Sequence, residues 1–134
     1  MKKTAILLGM VFFMFGCSSL KSNSGEMKKE ESISSLYSKE YTLENSDITI
    51  NFEKDRLYGF SGVNRYMGNY TVDKDNIKIE NLGSTMMLGE SQKMEEETKY
   101  LKDLSEVNKF IIEGNKLILT DGKVTLKFQN LAER

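Results

Sequence analysis

The sequence predicts an α+β fold: a curved antiparallel sheet, a half-barrel of six to seven strands, packed on one helix in the order β-meander, helix, β-meander. Three observations carry this expectation. Apolar residues alternate with period two from Ile48 onward, as Ile48, Ile50 and Phe52 are interleaved with Thr49 and Asn51. The stretch from Met94 to Val107 has helical spacing instead. Gly114-Asn115 and Asp121-Gly122 mark hairpin turns among three closing strands. One helix cannot cover both faces of such a sheet. The sheet is therefore expected to curl around its own apolar face, with the helix plugging the open side.

The elements follow in order from Tyr41. After the strand at Ile48–Phe52, Glu53-Lys54-Asp55 is a turn, and Leu57–Phe60 is a strand ending at Ser61-Gly62. Tyr66, Gly68, Tyr70 and Val72 share one face of the next strand. Asp73-Lys74-Asp75-Asn76 turns the chain into a strand carrying Ile77 and Ile79. These acids read as a hairpin turn, since the Gly and closing Glu of a calcium loop do not follow at their spacing. In the helix, Met94, Thr98, Leu101, Leu104 and Val107 form the expected packed face, and Ser91 stands at the N-cap position. Lys109–Glu113, Lys116–Thr120 and Lys123–Gln129 are the last three strands.

Residues 1–40 have a different character. Lys2 and Lys3 precede an apolar run from Ala5 to Phe15, too short to span a bilayer core of about 30 Å as a permanent helix. Gly16 and Cys17 close it. Met14-Phe15-Gly16-Cys17 resembles the lipobox of bacterial lipoproteins, which implies cleavage before Cys17 and acylation of its thiol. Residues 1–16 are then a signal peptide, and the location expected is the cell membrane or outer membrane, with the domain outside the cytoplasm. The other reading is an ordinary signal peptide or anchor with a chance cysteine. Residues 17–40 follow as a lipidated tether rich in Ser, Lys and Glu. Its 23 residues after Cys17 would reach roughly 26 Å as a flexible coil, unless Glu26–Glu31 begins a helix. Residues 41–134 form the domain.

Composition narrows the function. The chain has 134 residues, 19 Lys plus Arg and 20 Asp plus Glu. Losing Lys2 and Lys3 with the signal peptide takes the net charge from −1 to −3, the balance of a soluble surface rather than a nucleic-acid binder. There is no histidine, so no Ser-His-acid triad exists. Cys17 is the single cysteine, so no intrachain disulfide forms. No Gly-rich phosphate loop opens a helix. Neither catalysis nor a cofactor or metal is expected.

A family resemblance rests on several motifs in order. Gly59-Phe60-Ser61-Gly62-Val63-Asn64-Arg65-Tyr66-Met67-Gly68-Asn69-Tyr70 resembles the signature of the META domain, or HslJ-like, family, Gly-Cys-Asn-x-aromatic-x-Gly-x-Tyr. Leu82-Gly83-Ser84-Thr85-Met86-Met87 resembles its second motif. Glu97-x-x-Tyr100-Leu101-x-x-Leu104 resembles its helix, Asn115–Leu119 its late strand, and Tyr41-x-Leu43 its usual Trp-x-Leu. Val63 stands where the first motif has cysteine, and Gly89 where the second usually has one. The resemblance implies that relatives carry a disulfide between these positions and that this chain lacks it.

The motif residues Gly62, Asn64, Arg65, Tyr66, Gly68, Tyr70, Thr85, Met87 and Glu97 have two readings. In one they specify the fold. In the other they contribute to a ligand-accepting groove between helix and sheet, lined by Tyr66, Tyr70, Met86, Met87 and Met94. The resemblance implies a non-catalytic envelope protein acting in envelope or heat stress or drug tolerance. It also suggests a groove like that of the small lipoproteins that pilot secretins, taking a lipid or an amphipathic partner. The alternative is an inhibitor or binding module, for instance against a host lysozyme. A loop-borne key residue would favour the module, and a through-going apolar groove the first reading. The expected partners are the membrane, through the anchor, and a lipid or protein, with the domain a monomer.

Overall fold

The computed structural model of the chain describes residues 34–133, so Cys17, the signal peptide and the tether as far as residue 33 lie outside the described residues. Among the described residues, eight strands and one long helix make an α+β fold with an antiparallel sheet. The strands are β1 (Glu40–Leu43), β2 (Thr49–Phe52), β3 (Arg56–Phe60), β4 (Arg65–Asp73), β5 (Asn76–Ser84), β6 (Lys109–Glu113), β7 (Lys116–Thr120) and β8 (Thr125–Gln129). The helix, α1 (Ser91–Glu106), joins β5 to β6, and a short 3-10 turn, Leu131–Glu133, ends the chain.

Two expectations change. The sheet has eight strands rather than six or seven, and it closes: β8 returns to β1 through Thr42↔Gln129 and Leu43↔Phe128, which makes a barrel. The missed strand is β1, whose four residues are too few to show a period. Closure removes the free edges a half-barrel would expose. It is thin at one seam, where β5 and β6 meet at the single register pair Asn76↔Lys109. Two backbone bonds flank that pair, Ile77 N–H to Asn108 O (3.0 Å) and Phe110 N–H to Asp75 O (3.0 Å).

Alternation explains the interior. On β4, Tyr66, Gly68 and Tyr70 are buried while Arg65, Met67, Asn69 and Thr71 between them are exposed. β7 and β8 add Leu117, Leu119, Leu126 and Phe128. The chain also joins the core before the expected boundary at residue 41. Leu36 is fully buried and Tyr37 bridges to Phe52, so residues from Leu36 belong to the domain rather than to the tether. Each such large apolar side chain contributes about 1.5–3 kcal/mol when fully buried.

The helix keeps part of its expected face, since Leu104 and Val107 are buried, but it is turned from the rest. Glu97, Tyr100, Asp103 and Leu104 are its buried residues, whereas Leu101 is half-buried and Thr98 exposed. Ser91 is the first helical residue, not the cap. Glu90 holds the N-cap position without a side-chain bond, and its carbonyl takes the Met94 N–H at 3.0 Å. Tyr100 reaches the Tyr66 hydroxyl, oxygen to oxygen at 2.6 Å, and Tyr66 donates to Thr49 O at 2.8 Å. The two rings meet edge to face, with centroids 5.5 Å apart.

The barrel has two distinct ends. At one, the β1–β2 turn, the β3–β4 loop and the start of α1 come together, with Lys93 Nζ 3.0 Å from Asp47 Oδ1. At the other lie the β2–β3 and β4–β5 turns and the entering chain, where the Tyr37 hydroxyl donates to Lys54 O at 3.4 Å.

Candidate functional site

Five of the nine motif residues, Gly62, Asn64, Thr85, Met87 and Glu97, converge at the helix end of the barrel. After β3 the chain must reverse into β4 within four residues, and Gly62 makes this turn with a φ of +112° that an L side chain rarely adopts. The reversal points the Ser61 hydroxyl and the Val63 and Asn64 amides at one spot. Glu97 fills it from the buried face of α1. Its Oε2 accepts from Ser61 Oγ (2.7 Å), Asn64 N–H (2.7 Å) and Val63 N–H (3.2 Å), and its Oε1 accepts from Asn64 Nδ2 (2.7 Å). Burial pushes the Glu97 carboxyl up, but the bonds from Ser61, Asn64 and Val63 together outweigh it and hold it below its ordinary value. Glu97 is therefore a buried carboxylate that is fully engaged, not one poised to move a proton.

Asn64 carries the arrangement outward. Its Nδ2 also donates to Met87 O at 3.2 Å, while its Oδ1 accepts from Met87 N–H at 2.6 Å and from Thr85 Oγ1 at 2.9 Å. Both donors and both acceptor sites of the amide are used. Thr85 in turn accepts the Arg65 N–H on Oγ1 (3.2 Å) and donates its own N–H to Arg65 O (2.9 Å), which extends the β4–β5 ladder by one step. The β3–β4 loop, the β5–α1 connection and α1 are thus tied at one buried point.

What this point holds in place is apolar and exposed. Met86, Met87 and Leu88 are 95%, 63% and 89% exposed, three consecutive large side chains in solvent. The expected groove between helix and sheet does not form from its five residues. Tyr66 and Tyr70 point into the barrel and are buried, Met86 and Met87 face water, and half-buried Met94 takes the Gly89 N–H on its sulfur at 3.5 Å. Tyr70 donates its hydroxyl to Glu53 O at the far end of the barrel (2.5 Å). Gly68 sits at the irregularity between Met67 and Asn69 on β4. Of the nine motif residues, the structure joins Gly62, Asn64, Thr85, Met87 and Glu97, with Arg65 through its backbone alone. Tyr66, Gly68 and Tyr70 belong to the barrel interior.

Sequence reasoning missed Ser61, fully buried with its hydroxyl on Glu97 and Asn64 O. Its place beside Gly62 in the first motif was the available signal. A concavity of about 490 Å³ on the outer face of β2, β3 and β4 was also missed. It is lined by Tyr58, Phe60, Arg65 and Met67 among others. Residues on three strands meet there only after pairing, so no linear motif marks it. Among the described residues no group of His, Cys, Asp or Glu is arranged to hold a metal. None of the described helices is long and apolar enough to cross a membrane.

The positions of the implied disulfide adjoin. A Cβ built on Gly89 would lie 3.4 Å from Val63 Cβ and only 2.7 Å from Val63 Cγ1. The first distance is close to the 3.5–4.5 Å spanned by disulfides. In this chain the valine isopropyl group occupies the room that a side chain at 89 would need.

Comparison with known proteins decides the family. The META domain family matches residues 29–133. The chain belongs to the META domain family. Two solved structures share the fold of this META domain. One is the NMR structure of a protein from Burkholderia xenovorans, 22% identical, with a TM-score of 0.63 over 75% of this chain and 86% of that one. The other, also an NMR structure of a protein, is 21% identical, with a TM-score of 0.58 over 72% of this chain and 92% of that one. No curated protein matches the META chain significantly.

Proposed function

We propose that this META-family chain is a non-catalytic envelope lipoprotein, anchored through Cys17, whose domain is a binding module that presents a surface to a protein partner. One observation carries the reading. A buried carboxylate and a saturated asparagine hold the connection carrying Met86, Met87 and Leu88 in a fixed backbone while leaving those side chains in water. Exposed apolar clusters of this kind mark interaction sites. Methionine adapts to the shape it meets. The cluster stands at the end of the barrel opposite the one the chain enters, so it lies away from the point where a lipid tether would attach. A role in envelope or heat stress fits a module that engages other envelope proteins.

The test is site-specific photo-crosslinking in the native envelope, with the photoreactive residue p-benzoyl-phenylalanine at position 86 or, as a control, at position 127 on β8. A defined protein adduct from position 86 alone is expected. Equal, diffuse labelling from both positions would sink the reading. A second reading takes the outer concavity, with Tyr58, Phe60 and Met67, as a seat for a small hydrophobic ligand. It predicts that Met67→Glu abolishes binding of a fluorescent fatty acid and leaves the crosslink at 86 intact.

A further inference from the structure

The segment from Thr85 to Leu88 has a property that exposure alone does not describe. Met87 exchanges both of its backbone groups with the Asn64 side-chain amide: its N–H goes to Oδ1, and its carbonyl receives Nδ2. The facing residue of a neighbouring antiparallel strand would make the same pair of bonds with its own N–H and C=O. Thr85 makes the preceding step with the Arg65 backbone. No residue from Thr85 to Glu90 has a positive φ. Nor does it contain a turn, a bend or a helical residue, so it runs on beyond β5 as an open stretch in which Thr85 faces Arg65 of β4 and Met87 faces Asn64 of the β3–β4 loop.

In an extended chain the N–H and C=O of one residue point to the same side, and those of the next to the opposite side. The backbone groups of Met86 and Leu88 then face away from Asn64. Among the described residues none of these four groups has a hydrogen-bond partner. Nothing within the sheet covers that side, since β6 leaves β5 after Asn76↔Lys109. The site offers unpaired donors and acceptors in strand register, with two large apolar side chains at alternate positions.

That combination selects among occupants. A lipid surface would bury Met86 and Leu88 but would leave the backbone groups unsatisfied in hydrocarbon, which strongly opposes insertion. A second copy of this chain would meet that edge with its own residues 86–88 alone, three residues against the five of Ser84–Leu88 that a longer extended segment can span. An extended polypeptide satisfies the backbone and covers the side chains together. We infer that the Ser84–Leu88 edge takes up an extended segment of a partner protein as an added strand on the side away from Asn64, with Met86 and Leu88 packing against its alternate apolar side chains. This rests on the reading of the domain as a protein-binding module and names how it binds.

The test uses the full chain in detergent micelles with an acetylated heptapeptide, Lys-Val-Thr-Val-Thr-Val-Lys, as the probe. A second probe has the same side chains with alternate amides N-methylated. The expected result is at least a tenfold slowing of amide exchange at Met86 and Leu88 by the first peptide and at least tenfold weaker binding of the second. The double variant Met86→Ser with Leu88→Ser, both fully solvated positions, should keep its melting temperature and lose peptide affinity at least tenfold. Equal binding of the two peptides overturns strand addition, while the crosslinking experiment can still uphold a protein-binding module. Absence of binding by either peptide overturns it too. So does a wild-type dimer that the double variant dissociates, or vesicle binding (phosphatidylglycerol with phosphatidylethanolamine) that the double variant loses.

Discussion

Asn64 uses every hydrogen-bonding position it has, so its replacements separate by what they leave behind. Asn64→Ala strands Glu97 Oε1 and the Met87 backbone, and the expected loss is about 3 kcal/mol by urea unfolding. Asn64→Asp is expected to be worse at pH 7, because a second carboxylate would face Glu97 Oε1, which is 2.7 Å from the present Nδ2. One of the two must then be protonated in the fold, with a pKa raised above its unfolded value. Stability is recovered as pH falls, so the gap between the two variants should narrow below about pH 5. In the parent protein the sign is opposite. Glu97 ionises below its ordinary 4.5 in the fold, so its contribution is full above that value and is lost as pH falls through the folded pKa. Glu97→Gln should flatten that acid limb, and also lower stability at pH 7 by about 2 kcal/mol, since an amide donor would then face the Asn64 donor. The sequence named Asn64, Thr85 and Glu97 but not what joins them. Asn64 is 21 residues from Thr85 and 33 from Glu97, and only the paired strands bring their atoms together.

At the scale of elements, two contacts show how backbone approach sets the architecture. Gly59 on β3 lies so close to β2 that a Cβ would stand 2.0 Å from Thr49 O. Gly59→Ala cannot be relieved by a rotamer, because the obstacle is backbone. The expected cost is about 3 kcal/mol or more, read as a drop in urea midpoint. Val63 and Gly89 tie the β3–β4 loop to the β5–α1 connection by shape. Under oxidising conditions Val63→Cys with Gly89→Cys should form a bridge and gain about 2–4 kcal/mol. A folded double variant whose thiols stay free would contradict the geometry. Gly89→Ala should destabilise the parent, and Val63→Ala should rescue it, which a double-mutant cycle would display as coupling. Strands with five or more residues and clear alternation, such as β4 and β7, were legible in the sequence. The helix was legible as a helix but turned on its axis, because its buried face carries Glu97 and Asp103, and a rule that seeks apolar spacing passes over buried acids.

For the whole molecule, closure of the sheet is the property that sequence did not disclose. The pairing of β1 with β8 joins residues more than eighty positions apart, and the four residues of β1 give no periodic signal. The seam between β5 and β6 is the weak place in the ring. Hydrogen exchange should find the amides of Ile77 and Phe110, which bridge it, opening at least tenfold faster than those of Leu117 and Phe128. The barrel interior has a further consequence, because it is built on tyrosines in a chain without tryptophan. Desolvation raises the phenols of Tyr66, Tyr70 and Tyr100 above their ordinary 10.0. An acid whose folded pKa is raised stabilises the fold fully below its unfolded value and ceases to do so as pH climbs. Strong alkali should therefore dissolve this barrel from within. The near-ultraviolet absorbance of phenolate would register the collapse as a single late step, an intrinsic optical gauge of closure that needs no added label.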